Sequence, residues 1–176
     1  MPVMRWLWLV VMCSACNLVN GPPKDGECRA NLRTAMAAET TFYDSTQRFS
    51  VHPAEVGFAL VPGNRYLYVF DREGPVTRRD TQPSPSPYES VGVGPDTRRR
   101  PEFTVENLRP HIPPDVVALL GLSGTCPACE ITIACAGNID DDPTIDVWSI
   151  SSGDRVFDGV PVSRGTAFHH VNDREH

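Results

Sequence analysis

The most regular alternation of apolar and polar positions lies over residues 28–48. Cys28, Leu32, Ala35, Glu39 and Phe42 recur at i, i+4, i+7, i+11 and i+14, with Met36 and Tyr43 beside them. That spacing is one face of an amphipathic helix with a single polar interruption at Glu39. The stretch contains no Gly or Pro, and Asp25 stands just upstream as a candidate N-cap. Downstream the period changes. Pro62-Gly63-Asn64 signals a turn, and the aromatic and β-branched run over residues 65–70 predicts a strand. Residues 114–122 predict a short helix with Pro at its start. Residues 130–136 alternate, placing Ile131, Ile133 and Cys135 on one side. Residues 144–150 alternate too, with Ile145, Val147 and Ser149 opposite Asp146, Trp148 and Ile150. Residues 155–162 offer a third strand, and the end of the chain (His169, His170 and onward) reads as a frayed polar tail. The pattern predicts an α+β domain in which a long N-terminal amphipathic helix packs on an antiparallel β-sheet.

Composition changes this picture between the strands. Nine of the 17 Pro fall within residues 74–114, together with Arg78-Arg79 and Arg98-Arg99-Arg100. Pro has no N–H to donate to a sheet interior. The stretch therefore reads as a long surface insertion, with edge strands near Val76 and Phe103 and a solvated arginine run. At 176 residues the chain has room for one domain. Its net charge of −6 gives no electrostatic footprint for nucleic acid.

The first residues read as an address. Arg5 precedes the apolar run Trp6 to Met12, too short to span a bilayer and suited to a signal-peptide core. Ser14-Ala15-Cys16 then resembles a bacterial lipobox, with Cys13 where an aliphatic residue is usual. The expectation is a lipoprotein-type signal over residues 1–15 and a diacylglyceryl group on the Cys16 thiol. The composition of residues 16–27 is that of a flexible tether. The domain follows over residues 28–165 and the polar tail over 166–176. Asn17, in place of the Asp that retains enteric lipoproteins at the inner membrane, points to the outer membrane.

Four cysteines remain: Cys28, Cys126, Cys129 and Cys135. In an exported chain they suggest two disulfides with three connectivities. Cys135 shares its strand face with Ile131 and Ile133, and Cys28 lies on the apolar helix face. A helix laid across the sheet brings these together, so the pairing expected is Cys28–Cys135 and Cys126–Cys129. The Cys126-Pro127-Ala128-Cys129 motif also admits a thiol oxidoreductase. It runs into a strand, however, whereas a helix N-terminus is what lowers a thiol pKa in such enzymes.

Residues 137–146 carry Asp140, Asp141, Asp142 and Asp146 after Asn138. Oxygen donors at alternate positions suit calcium, so Asn138, Asp140, Asp142 and Asp146 are candidate ligands. The competing reading is an Asx-rich turn whose carboxylates accept local N–H groups. No serine-hydrolase elbow, HExxH or P-loop is present.

Several short segments in order resemble the globular domain of type IVa pilins, most closely the major pilins of gliding myxobacteria. They are Ala30-Asn31-Leu32-Arg33-Thr34-Ala35, Phe42-Tyr43, Val56-Gly57-Phe58, Gly63-Asn64-Arg65-Tyr66, Thr125-Cys126-Pro127-Ala128-Cys129, Gly137-Asn138-Ile139-Asp140 and Asp146-Val147-Trp148. In pilins a prepilin cleavage site and a hydrophobic helix come first. Here the lipobox-like signal stands in their place, so the resemblance implies a pilin head on a lipid tether. It further implies a non-enzymatic binding or scaffold lipoprotein of the cell envelope, accessory to a type IV pilus or type II secretion machine. The alternative is a surface-exposed adhesive or ligand-binding lipoprotein using the Pro/Arg-rich insertion.

Overall fold

A computed structural model describes residues 26–80, 83–98, 101–140 and 142–173. The signal segment, Cys16, the tether as far as Asp25, Arg99, Arg100 and Asp141 lie outside the described residues.

Helix α1 (Glu27–Thr46) buries Cys28, Leu32, Ala35, Met36 and Glu39, and turns Arg29, Arg33 and Thr34 outward. Gly26 occupies its N-cap without a side-chain cap. Its first turn is tied instead by Glu27, whose Oε1 accepts the Arg65 N–H at 2.9 Å. The helix stops at Gln47, which takes the left-handed conformation (φ 58°) and donates its N–H to the Tyr43 carbonyl. The turn brings Phe49 back to stack on Tyr43 at 4.5 Å.

The chain then lays down β1 (Leu67–Val69), β2 (Gly92–Val93), α2 (Val105–Leu108), a 3₁₀ turn (Arg109–His111) and α3 (Pro114–Leu119). There follow β3 (Gly121–Ser123), β4 (Glu130–Gly137), β5 (Asp146–Ser151), β6 (Arg155–Phe157), β7 (Val160–Val162) and β8 (Phe168–Val171). The main sheet is antiparallel in the order β2-β1-β4-β5-β8. Strand β3 also pairs with β4, at residues 130–132, beyond the 134–136 stretch that β1 occupies.

Both faces of this sheet are buried. On one, Tyr66, Tyr68 and Phe70 join Ile131, Ile133, Cys135 and Ile150 beneath α1. On the other, the alternate residues Leu67, Val69, Ala134, Ala136 and Val147 meet Val76, Leu108, Ile112, Val116 and Phe157. That second layer corrects the reading of residues 74–114 as a surface insertion. The Pro83–Pro87 run does stay outside, but Val76, Val91, Leu108 and Ile112 are buried. The prolines shape turns, and the apolar residues between them point inward. Phe103 starts no strand, because the Thr104 side chain caps α2 by accepting the Asn107 N–H. Three of its arginines are engaged as well. Arg79 donates to the Leu60 and Val61 carbonyls, Arg109 donates to the Arg72 carbonyl, and Arg78 pairs with Glu106.

Two further expectations change at the C-terminus. Residues 155–162 form a separate β6–β7 hairpin, closed by Asp158 and Gly159 at φ 50° and 78°. Such a two-residue turn needs positive φ at both positions, which Asp-Gly tolerates well. The polar tail contains β8, which pairs with β5 through Val147↔Val171, Trp148↔His169 and Ser149↔Phe168. Phe168 stacks on Phe157 at 5.2 Å, and the Ser149 hydroxyl lies 2.8 Å from His170 Nε2. Burial holds the His170 imidazole well below its usual pKa, at about 4, so this strand docks with His170 uncharged.

In the structure Cys28 is joined to Cys135, 107 residues away, and Cys126 to Cys129. In the chain-entropy model the long loop stabilises by about 5 kcal/mol and the short one by about 2. Replacing Cys28 and Cys135 together by Ser should therefore lower unfolding free energy by about 3 kcal/mol more than the Cys126/Cys129 double variant does. Denaturant titration, with non-reducing peptide mapping of the parent, measures this. Equal losses would refute the assignment.

Glu39 generates a second prediction. It is fully buried; Oε2 accepts the Ser50 N–H at 3.1 Å and Oε1 has no partner. Burial raises its pKa from 4.5 to about 7, against the opposing Ser50 bond. The folded state thus binds the proton more tightly, and its advantage is present below pH 4.5 and lost as pH rises through 7. Relative to wild type, Glu39→Gln should gain roughly 1.4 kcal/mol per pH unit across that window, up to about 3 kcal/mol. Thermal melts of both proteins at pH 4 to 8 should diverge in that direction; parallel curves would contradict it.

Candidate functional site

The cysteine motif is built into the helix–sheet contact. The Cys126–Cys129 loop immediately precedes β4, and Cys129 is buried with the helix-facing core. Tyr43, in the last turns of α1, donates its hydroxyl to the Pro127 carbonyl at 2.5 Å. The bridged loop is thus a seat for the helix end. It leads into a strand, so neither Cys sits at a helix N-terminus of the kind that activates a thiolate.

The four residues considered as calcium ligands separate into two sites. Asp146, the first residue of β5, is buried in the sheet and already saturated. Its Oδ2 accepts from the Tyr66 hydroxyl at 2.7 Å and from Trp148 Nε1 at 2.9 Å, and its Oδ1 lies 2.5 Å from His169 Nε2. Trp148 and His169 stack face to face at 3.9 Å, and the Arg29 guanidinium lies 6.0 Å from the indole centroid. The Tyr66 ring reaches this carboxylate because residue 137 is Gly: a Cβ there would lie 2.5 Å from Tyr66 Cδ1. Burial and the Asp146 charge raise the Tyr66 phenol far above its ordinary pKa, so it serves as a donor only. Asp146 locks β1, β5 and β8 together. Its donors hold it in the sheet, apart from the group that Asp140 and Asp142 form.

Asn138 turns inward as well. Its Nδ2 donates to the Asp142 and Thr144 carbonyls, and its Oδ1 accepts the Asp140 N–H at 3.2 Å. It shapes the β4–β5 loop as an Asx turn does. Asp140 and Asp142 remain together and are joined by Asp173, from just past β8, which the sequence had left in the tail. Ligand atoms of the three carboxylates lie within 4.8 Å of one another. Asp140 Oδ1 accepts the Asp142 N–H, Asp142 Oδ1 the Thr144 N–H, and Asp173 Oδ2 the Ile139 N–H at 2.6 Å. Burial first, then the Asp140 charge and the hydrogen bond and charge of Asp142, push the Asp173 carboxyl up to about 6 despite the Ile139 bond. No signal near residue 173 could have revealed this, because the contact is made through the register of β8.

No described helix is long and apolar enough to cross a membrane. Known proteins agree with the architecture. The family model for type IV pilin PilA matches residues 21–146. The type IV major pilin protein PilA of Myxococcus xanthus (strain DK1622) is 28% identical over 169 residues, covering 85% of this chain and 77% of that protein. The matched region takes in α1, β1 to β4 and the loop that carries Asp140 and Asp142. The chain belongs to the type IV pilin PilA family, whose members are structural proteins of the cell envelope and not enzymes.

Proposed function

We propose that this chain is a lipid-anchored pilin head with a non-enzymatic binding or scaffold role, accessory to a type IV pilus or type II secretion machine. The observation that carries the proposal is the pairing of two features. A pilin-family match covers residues 21–146, and Ser14-Ala15-Cys16 lies directly upstream of it. Anchoring in this reading rests on acylation of Cys16, placed at the periplasmic side of the outer membrane. The outward face of α1 is polar, with Arg29, Arg33, Thr34, Thr40 and Thr41 exposed. A single acyl chain gives only marginal membrane binding, and a second hydrocarbon chain makes it stable. A diacylglyceryl group meets that requirement.

The alternative of an adhesive surface on residues 74–114 is weakened by the arginines there. Arg79 and Arg109 spend their donors on backbone carbonyls of neighbouring segments. Tyr88 is the large apolar side chain that this segment leaves exposed among the described residues.

Two measurements test the proposal. Cys16→Ser should abolish incorporation of labelled palmitate and move the protein out of the membrane fraction. Deletion of the gene should reduce pilus assembly, surface motility or type II secretion, with rescue by wild type but not by Cys16→Ser. Unchanged pili, motility and secretion in the deletion would eliminate the machine-associated role. Loss of surface adhesion alone would favour the adhesive reading.

A further inference from the structure

We propose that Asp140, Asp142 and Asp173 form a calcium site that clasps the C-terminal end of the chain onto the β4–β5 loop. The decisive group is Asp173. It is completely buried; Oδ2 accepts the Ile139 N–H, and Oδ1 meets no N–H or hydroxyl donor. An ionised carboxylate left half satisfied inside a protein is costly. No Lys or Arg is paired with any of the three carboxylates among the described residues. What the buried side chain faces is the pair Asp140 and Asp142. Among the described residues, no positive charge is paired with the three carboxylates that converge there.

The donor set selects the ion. All three ligands are carboxylate oxygens, the hard donors preferred by calcium and magnesium over zinc or copper. Three atoms within 4.8 Å of one another can share a centre no more than about 2.8 Å from each. That limit admits the 2.3–2.6 Å of calcium–oxygen bonds, and the irregular shell calcium accepts suits ligands from two separate segments better than the near-ideal octahedron magnesium demands. Two ligands come from one surface loop and the third from beyond the edge strand, 31 residues after Asp142, a separation that suits the flexible coordination of calcium. Bound there, the ion would hold the end of β8 against β5, where pairing is interrupted by a register shift between Val147 and Trp148.

The test uses the purified full chain, stripped with a chelator and titrated with calcium chloride by calorimetry, with thermal melts alongside. We expect one site with a Kd of about 10⁻⁴ to 10⁻³ M, the range of extracellular calcium modules. The melting temperature should rise by about 3–6 °C in about 10 mM calcium. Magnesium at the same concentration should give less than about a third of that shift. Asp173→Asn should abolish the response. Asp140 is exposed, so Asp140→Asn tests the site without disturbing the core, and it should weaken calcium affinity at least about tenfold. No binding heat together with an unchanged melting temperature would overturn the proposal. So would an equal shift with magnesium, or an Asp140→Asn protein that responds like wild type.

Discussion

The rest of the structure depends on how α1 is held along β4. Residues 131–139 are buried without a break, so this strand and the turn after it need cover on both faces and both edges. Helix α1 supplies one face and is clasped at each end. Near its start, Cys28 is bonded to Cys135 and Glu27 to the Arg65 N–H. Near its end, the Tyr43 hydroxyl seats on the Pro127 carbonyl within the Cys126–Cys129 loop. The helix therefore runs antiparallel to β4, and its long-range clasps belong to opposite ends of that strand. Orienting one 20-residue helix in this way settles which side of the sheet remains to be covered.

The uncovered side explains why so Pro-rich a segment is ordered. Val76, Leu108, Ile112 and Val116 come from an irregular segment, two short helices and the turn between them. None of those elements buries enough apolar surface to be stable alone. Each is stable against the row Leu67, Val69, Ala134, Ala136 and Val147, and Arg79 and Arg109 tie this layer to the Leu60 and Arg72 carbonyls of neighbouring segments. The cooperative unit is the sheet with both its layers. A mutation in the 105–117 region should thus be felt in the whole domain, as a core mutation is.

Legibility in the sequence followed periodicity. The helix face and the alternation in β4 and β5 could be read because each element repeats its own period over enough residues. The second layer could not, since its apolar residues are single anchors between turns and carry no period. Strand β8 was hidden for a different reason: Phe168-His169-His170-Val171 looks polar, yet both imidazoles are paired, with Asp146 and Ser149. The site was half legible. Asp140 and Asp142 are close in sequence and showed themselves, whereas Asp146 was drawn away by Tyr66 and Trp148, and Asp173 arrived through strand pairing.

These placements put the acidic cluster at a particular end of the molecule. Glu27 bonds Arg65, its neighbour Tyr66 bonds Asp146, and Asp146 opens β5 just after the loop that carries Asp140 and Asp142. The start of α1 and the β4–β5 loop therefore lie at the same end of the sheet. On the proposed anchoring, Cys16 joins α1 through 11 residues, which span at most about 40 Å when extended. The carboxylates then lie on the membrane-facing end of the head. Anionic headgroups would repel them there, and a bound divalent cation would offset that repulsion. The two proposals, on lipid anchoring and on cation binding, are argued from different residues and concern the same end of the fold.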